Sequence, residues 1–364
     1  MAKSRYFFFW FFMVILCAAA LRAEPALPLP AEADSVTPAD CPAVVSPAMK
    51  WAQGDFAKDP TAIRFRGKYY LYYSYFGPEA KNADGRPVLT IGIASSDDLT
   101  NWKFERNILP MQEVDAKGLG APCARVFGDQ VLLFYQSYGT GANDAICLAR
   151  SDDGLHFTPH PRNPIFRPHG DWTNGRAIDA DAVLFRGKLF LYAATRDPEG
   201  KIQKLVAATA DPASDLGPEA WTQAADFSVL EPTLPWEREC IEAPSAIERD
   251  GRLYLFYAGA YNNSPQQIGV AVSEDGVRFT RLWDVPFIPN GPAGAWNASE
   301  SGHPGIFTDE DGSNRLFFQG DAAGANGWRL SNVRIEWDRI DGFSVPRVAA
   351  GPADGEPAEA AGLQ

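Results

Sequence analysis

Residues 58–74 read KDPTAIRFRGKYYLYYS: a short run of small and apolar residues, an Arg66-Gly67 turn, then a dense aromatic and aliphatic run. A polar-Gly pair between two β-forming runs is a hairpin signal. The unit returns about every 60 residues, which marks a repeat architecture. Its aromatic members are 68–74 (KYYLYYS), 130–137 (QVLLFYQS), 188–195 (KLFLYAAT), 252–259 (RLYLFYAG) and 315–320 (RLFFQG). The turns before them are Arg66-Gly67, Gly128-Asp129, Arg186-Gly187, Asp250-Gly251 and Asp311-Gly312. A third strand follows in four units, at 90–95, 145–151, 204–209 and 267–273. After it an acidic turn leads to an aromatic, Trp102, Phe157 or Phe279, with a looser version ending at Trp221. Five meanders of three or four strands predict an all-β chain, a five-bladed β-propeller over residues 46–348. A single blade cannot bury both of its faces, so the five are expected to form one domain.

The composition agrees with a folded chain that does not bind polyanions. The 364 residues carry 46 acidic and 33 basic side chains, a formal net charge of −13, with 46% hydrophobic residues. An acidic surface without a basic stripe argues against nucleic-acid partners. Lys3 and Arg5 precede an apolar run at 7–20 that is short for a membrane span and has the form of a signal peptide. Residues 1–23 are therefore expected to direct export to the periplasm or outside the cell, with no membrane partner after cleavage. Residues 24–45 and 349–364, rich in Ala, Pro and acidic side chains, read as a flexible segment and a disordered tail. Export permits disulfides, but Cys41, Cys123, Cys147 and Cys240 have no spacing that selects a pairing, and buried free thiols are an equal expectation.

In a propeller the first strand of each blade lines the axis, so function is sought at one equivalent position in every repeat. That lattice gives Asp59, Ala121 or Pro122, Asp179, Glu242 and His303. Carboxyls gathered in one cavity disfavour joint ionisation, so at least one is expected to have a raised pKa. Cleavage between sugars uses such a pair, one carboxyl as acid and one as base or nucleophile. Asp181 lies on the same strand face as Asp179 and competes with it. Arg125, just after the second-blade strand start, is expected to meet a sugar hydroxyl or to neutralise the acids. Glu239 and Glu300 are further carboxyls near the same rim. Trp51 and Trp172, with Phe56 and Trp296, precede inner strands and are candidate sugar-stacking rings.

The segments 58–74, 176–192 (RAIDADAVLFRGKLFLY), 241–257 (IEAPSAIERDGRLYLFY) and 301–312 (SGHPGIFTDEDG) resemble the blade signatures of glycoside hydrolase family 43. Families 117 and 32 share that architecture. The resemblance covers roughly residues 50–340 and implies roles by position. Asp59 would be the general base that activates water, Asp179 the residue that tunes the acid, and Glu242 the general acid, with Ala243 where the family motif has Gly. His303 would sit near the axis and help hold a structural calcium ion through water, and no cofactor would be required. The implied activity is an inverting hydrolysis of arabinofuranosides or xylosides in plant or algal polysaccharide fragments. A glycoside phosphorylase, an anhydrogalactosidase and a non-catalytic carbohydrate-binding propeller are the alternatives. Specificity is expected in the loops 77–88, 139–144, 159–175 and 286–300.

Overall fold

In the computed structural model, residues 56–322 and 327–349 are described. The expected leader, the 24–45 segment, Trp51, Cys41 and the tail beyond residue 349 lie outside them. The first blade runs β1 (Lys58–Phe65), β2 (Lys68–Tyr75), β3 (Thr90–Ser96) and β4 (Lys103–Ile108). The second is β5 (Leu119–Phe127), β6 (Gln130–Ser137), β7 (Ile146–Ser151) and the two-residue β8 (Thr158–Pro159). The third is β9 (Ile178–Phe185), β10 (Lys188–Arg196), β11 (Gln203–Ala210) and β12 (Thr222–Gln223). The fourth is β13 (Ile241–Arg249), β14 (Arg252–Gly259), β15 (Gln267–Ser273) and β16 (Thr280–Arg281). The fifth is β17 (Glu300–Thr308), β18 (Asn314–Asp321), β19 (Arg329–Ile340) and β20 (Phe343–Val348). Each blade is one four-stranded antiparallel meander. The first strands β1, β5, β9, β13 and β17 pack each against the next, and β17 returns to β1, closing a five-bladed propeller.

Burial explains why the second strands are apolar throughout rather than alternating. Five hydrophobic clusters fill the five interfaces between successive blades, so both faces of each blade are covered. Tyrosine hydroxyls bolt neighbours together across these interfaces. Tyr72 donates to the carbonyl of Gly154 at 2.8 Å and Tyr192 to that of Gly276 at 2.7 Å, while Tyr254 accepts from the amide of Ser344 at 3.1 Å. The acidic turns are fixed by their own carboxylates: Asp98, Asp153 and Asp275 each accept backbone N–H groups two and three residues on. Cys123, Cys147 and Cys240 are buried free thiols.

Every inner strand carries the same irregularity near its start. Asp59, Ala121, Asp179, Ala243 and His303 all have positive φ, from 44° to 55°, and each sits in a bulge that shifts the register with the second strand. These are the five equivalent positions. The sequence lattice had placed Glu242 among them; in the structure Ala243 holds that place and Glu242 stands one residue earlier, equivalent to Lys58.

Two rings of hydrogen bonds between blades hold the bulges. The amides of Ala121, Asp179 and Asp59 donate at 2.8 Å to Ser74 Oγ, Gln136 Oε1 and Gln319 Oε1, each from the second strand of the preceding blade. Two residues past the bulge, Thr61, Cys123, Asp181 and Ser245 accept the amides of Ala124, Ala182, Ala246 and Ile306 of the following blade, at 2.9–3.4 Å. The fifth member of that second ring is Gly305, where a Cβ would lie 2.1 Å from the carbonyl oxygen of Pro60. Gly305 is thus the point where the last blade closes on the first. Gly305→Ala is expected to lower stability by about 1–3 kcal/mol, the usual cost of overpacking a dense interior. Urea denaturation of both proteins checks this; an unchanged midpoint would mean that closure tolerates a methyl group there.

Candidate active site

The bulges aim side chains at one mouth of the axial channel. Asp59, Asp179 and His303 enter from bulge positions, and Lys58 and Glu242 from the residue before, around a cavity of about 210 Å³. His303 is the centre of this group. Its Nδ1 lies 2.7 Å from Asp59 Oδ1 and its Nε2 lies 3.2 Å from Glu242 Oε1. Asp59 also accepts from the hydroxyl of Ser74. Glu242 accepts from the amides of Gln203 and Gln266, the latter at 2.7 Å. Asp179 has a backbone anchor to Gln136, yet its Oδ2 is buried with no hydrogen-bond partner among the described residues.

Burial and neighbours divide the protons unequally. For His303, burial disfavours the cation, but the carboxylates of Asp59, Glu242 and Asp179 overcome it and hold the imidazolium well above its ordinary range. For Asp59, burial pushes upward, but the His303 cation, its hydrogen bond and Lys58 win and hold the carboxyl well below its usual value. Glu242 is likewise lowered: the hydrogen bond and charge of His303, then Lys58 and Gln266, outweigh its burial. Asp179 goes the other way. Burial first, then the anions of Glu242 and Asp59, push it up to about 7 against the pull of His303. At neutral pH the site therefore holds two carboxylates, one imidazolium and, on Asp179, a carboxyl near the midpoint of its titration. The sequence expectation has Glu242 as the general acid; in the free protein the carboxyl whose pKa is raised is Asp179.

Asp179, Glu242 and His303 also offer ligand atoms within 4.8 Å of one another, a geometry open to a metal ion. Calcium takes six to eight oxygen ligands. Here two carboxylates accompany a nitrogen, and both nitrogens of His303 already face carboxylates. These residues do not fit a directly bound calcium ion, and no step is derived through one.

Below the carboxylates the channel narrows to about 30 Å³ between Pro60, Pro122, Ala180, Pro244 and Pro304, room for little more than a water molecule. Asp181 lines this constriction and Arg125 the space beyond it, and neither is in the mouth. Arg125 pairs with Asp181 and donates to the carbonyl of Ala182 at 2.7 Å, while Asp181 accepts the amide of Ala246. They differ from the expected substrate contacts because Asp181 is a member of the second ring and Arg125 is its counter-ion. Trp172 is half-buried against the core between the second and third blades, with Lys204 Nζ 5.4 Å from its ring, and does not line the cavity. Glu300 is fully buried and ties Asn263 to Gln319, and Glu239 is exposed. Trp296 packs on Phe318.

The aromatic wall is formed instead by Phe56, Phe76, Tyr138 and Tyr261. Phe76 and Tyr138 are each 40% exposed, and Phe56 packs on Phe76 and Trp328. Of these the sequence reading had singled out Phe56 alone. Exposed rings at the ends of second strands were its one available signal for the others. The glutamines that hold the acids, Gln136, Gln203, Gln266 and Gln319, carried no signal, since an amide at a strand end is ordinary.

The sequence model of glycosyl hydrolases family 43 matches residues 53–339. A xylosidase/arabinosidase 43A of Humicola insolens is 29% identical over 167 residues, which is 41% of this chain and 45% of that protein. The chain thus spans about half the length of that curated relative. A 1,2-beta-oligomannan phosphorylase of a Thermoanaerobacter strain is 26% identical over 227 residues, 60% of this chain and 68% of that protein. Among solved structures, a thermostable family-43 glycoside hydrolase superposes with a TM-score of 0.64 at 18% identity, over 83% of this chain and 95% of that one. At that identity the likeness carries the fold.

The raised Asp179 has a consequence for stability. An acid whose folded pKa is raised from 3.8 to about 7 contributes stability below 3.8 that is lost as pH rises through about 7. Asp179→Asn removes that loss. Its stability relative to the wild type is expected to be more favourable at pH 8 than at pH 4 by roughly 1–3 kcal/mol. Urea denaturation at the two pH values measures this; an equal difference at both would show that Asp179 does not carry the proton.

Proposed function

The chain belongs to glycosyl hydrolases family 43, and from that premise we propose that it is an exported glycosidase that removes terminal sugars from plant or algal polysaccharide fragments. The observation that carries this reading is the His303 ring between the carboxylates of Asp59 and Glu242, with Asp179, whose pKa is raised, beside them. One ionised carboxylate, a second carboxyl able to deliver a proton and an open mouth are what glycosidic cleavage requires. The channel narrows to about 30 Å³ below the carboxylates, so a sugar is held at the mouth. Export is inferred from the leader-like residues 1–23. The arabinofuranoside or xyloside class follows the names of relatives that match this chain.

Asp59, ionised at all ordinary pH, takes the proton of an attacking water. Glu242 delivers a proton to the leaving oxygen. Asp179 is the proton reserve: the pair holds one proton, and movement from Asp179 to Glu242 arms the acid as substrate displaces water from the mouth. The ring of His303 keeps Asp59 and Glu242 from direct contact, which supports a single displacement by water with inversion. A second assignment has Asp179 itself as the acid, favoured by its position as proton carrier in the free protein. The phosphorylase relative supports phosphate as an alternative acceptor. The alternative of a non-catalytic sugar-binding propeller is disfavoured by the presence of all three carboxyls.

Sugar release from arabinans, xylans, agar oligosaccharides and aryl glycosides tests the reading. Asp59→Asn and Glu242→Gln are each expected to lose about 10²–10⁴-fold in kcat/KM on natural linkages, the usual worth of a positioned acid or base. Glu242→Gln and Asp179→Asn should both keep most of their rate on dinitrophenyl glycosides, whose leaving group needs no proton, because both serve proton delivery. Rescue of Asp179→Asn alone would make Asp179 the acid. Variants within about tenfold of wild type on every substrate would remove the hydrolytic reading.

A further inference from the structure

Three cations, Lys58, Arg176 and Arg196, line the same cavity as the carboxyls, in a chain of net charge −13. Two of them converge on a single atom. Oε1 of Gln203 accepts from Arg196 Nε at 2.9 Å and from Arg176 Nη1 at 3.5 Å. The Nε2 of the same amide donates to Glu242. The contacts on both ends leave only one orientation for this amide, so the guanidiniums stand one side chain away from Glu242.

Their charges are not balanced alike. Arg176 pairs with the buried Asp144 at 3.2 Å. Lys58 rests on the ring of Trp328 at 4.7 Å and stabilises the anions of Asp59 and Glu242. Arg196 contacts the amide oxygen of Gln203 and the ring of Tyr261, 5.6 Å away, and no carboxylate pairs with it among the described residues. Holding Gln203 needs only the Nε of Arg196. The Nη donors that remain form the planar fork that matches an oxyanion. A neutral sugar would leave that guanidinium half-buried without a counter-ion.

We propose that Arg196, with Arg176 beside it and Lys58 lining the same cavity, forms an oxyanion subsite adjoining Glu242, so that the pocket takes an acidic group next to the scissile bond. This rests on the reading of the pocket as the place of glycosidic cleavage and narrows its substrate class. The oxyanion has two sources, a uronic-acid carboxylate carried by the sugar or free inorganic phosphate. With phosphate, the glycosidic carbon–oxygen bond breaks as a phosphate oxygen bonds to the anomeric carbon. The proton of the Asp179–Glu242 pair then passes to the leaving oxygen, and no oxidant or reductant is involved.

Isothermal titration calorimetry of the full chain tests the subsite with D-glucuronate, inorganic phosphate and neutral D-xylose as probes. At low salt the wild type is expected to bind at least one anion about tenfold or more tighter than xylose, since charge-assisted forks are the stronger contacts. Arg196→Gln should abolish that preference. Arg196→Lys, which keeps the charge without the fork, should restore part of it and guards against a folding defect, with thermal melts as the check. Preference for glucuronate identifies a sugar acid. Preference for phosphate, accompanied by phosphate-dependent formation of a glycosyl phosphate, identifies the acceptor. A wild type that binds neither anion better than xylose, or an Arg196→Gln variant with undiminished anion preference, would overturn the proposal. Either result is separate from the cleavage reading, which stands or falls on turnover by the Asp59 and Glu242 variants.

Discussion

The structure depends on one backbone constraint, a residue forced to positive φ near the start of every inner strand. A non-glycine residue there costs on the order of 1–3 kcal/mol and persists only when its surroundings over-determine it. The surroundings here are the neighbouring blades. Each bulge amide that meets Ser74, Gln136 or Gln319 gains a hydrogen bond from the blade before it. Two residues on, Thr61, Cys123, Asp181 and Ser245 return the favour to the blade after. Individually such bonds contribute about 0.5–1.5 kcal/mol. Together they fix the rotation of each blade about the axis, and with it the direction of Asp59, Asp179 and His303. The acids are close because the propeller cannot close with them apart.

That closeness would be untenable without a cation inside it. Three carboxyls and no counter-charge would take up protons until little anion remained. His303 sits between two of them and makes both better anions, while the third, Asp179, absorbs the remaining repulsion by keeping its proton. One imidazolium thus separates the roles of chemically similar groups. Its own place is set by the same bulge and ring that set theirs. Farther out, Arg176 and Arg196 hold Gln203, which in turn holds Glu242, so this carboxylate is positioned from the direction of the cations.

The blades were legible because strands buried on both faces read as unbroken apolar runs, and 68–74, 130–137, 188–195 and 252–259 coincide with observed strands to within a residue. The fifth blade was less legible. Its third strand, β19, carries charges at exposed positions, and β19 and β20 were not separated in the sequence. The offset of Glu242 was hidden for a different reason. A backbone dihedral leaves no compositional trace, although Asp59-Pro60, Ala121-Pro122, Ala243-Pro244 and His303-Pro304 mark the bulge by the proline that follows. Asp181 and Arg125 looked like site residues because spacing along a strand cannot tell which side of a constriction a side chain occupies. The placement of Trp172 depended on its packing between two blades, which no local pattern records.

The proposed reaction is a single attack by water at a site where a protonated acid and an ionised base face one anomeric carbon. Proton NMR of the first sugar released, followed before mutarotation, tests this most directly. An initial product of the opposite anomeric configuration to the substrate is predicted. An initial product of the same configuration would instead require a covalent intermediate on Asp59 and would contradict the account.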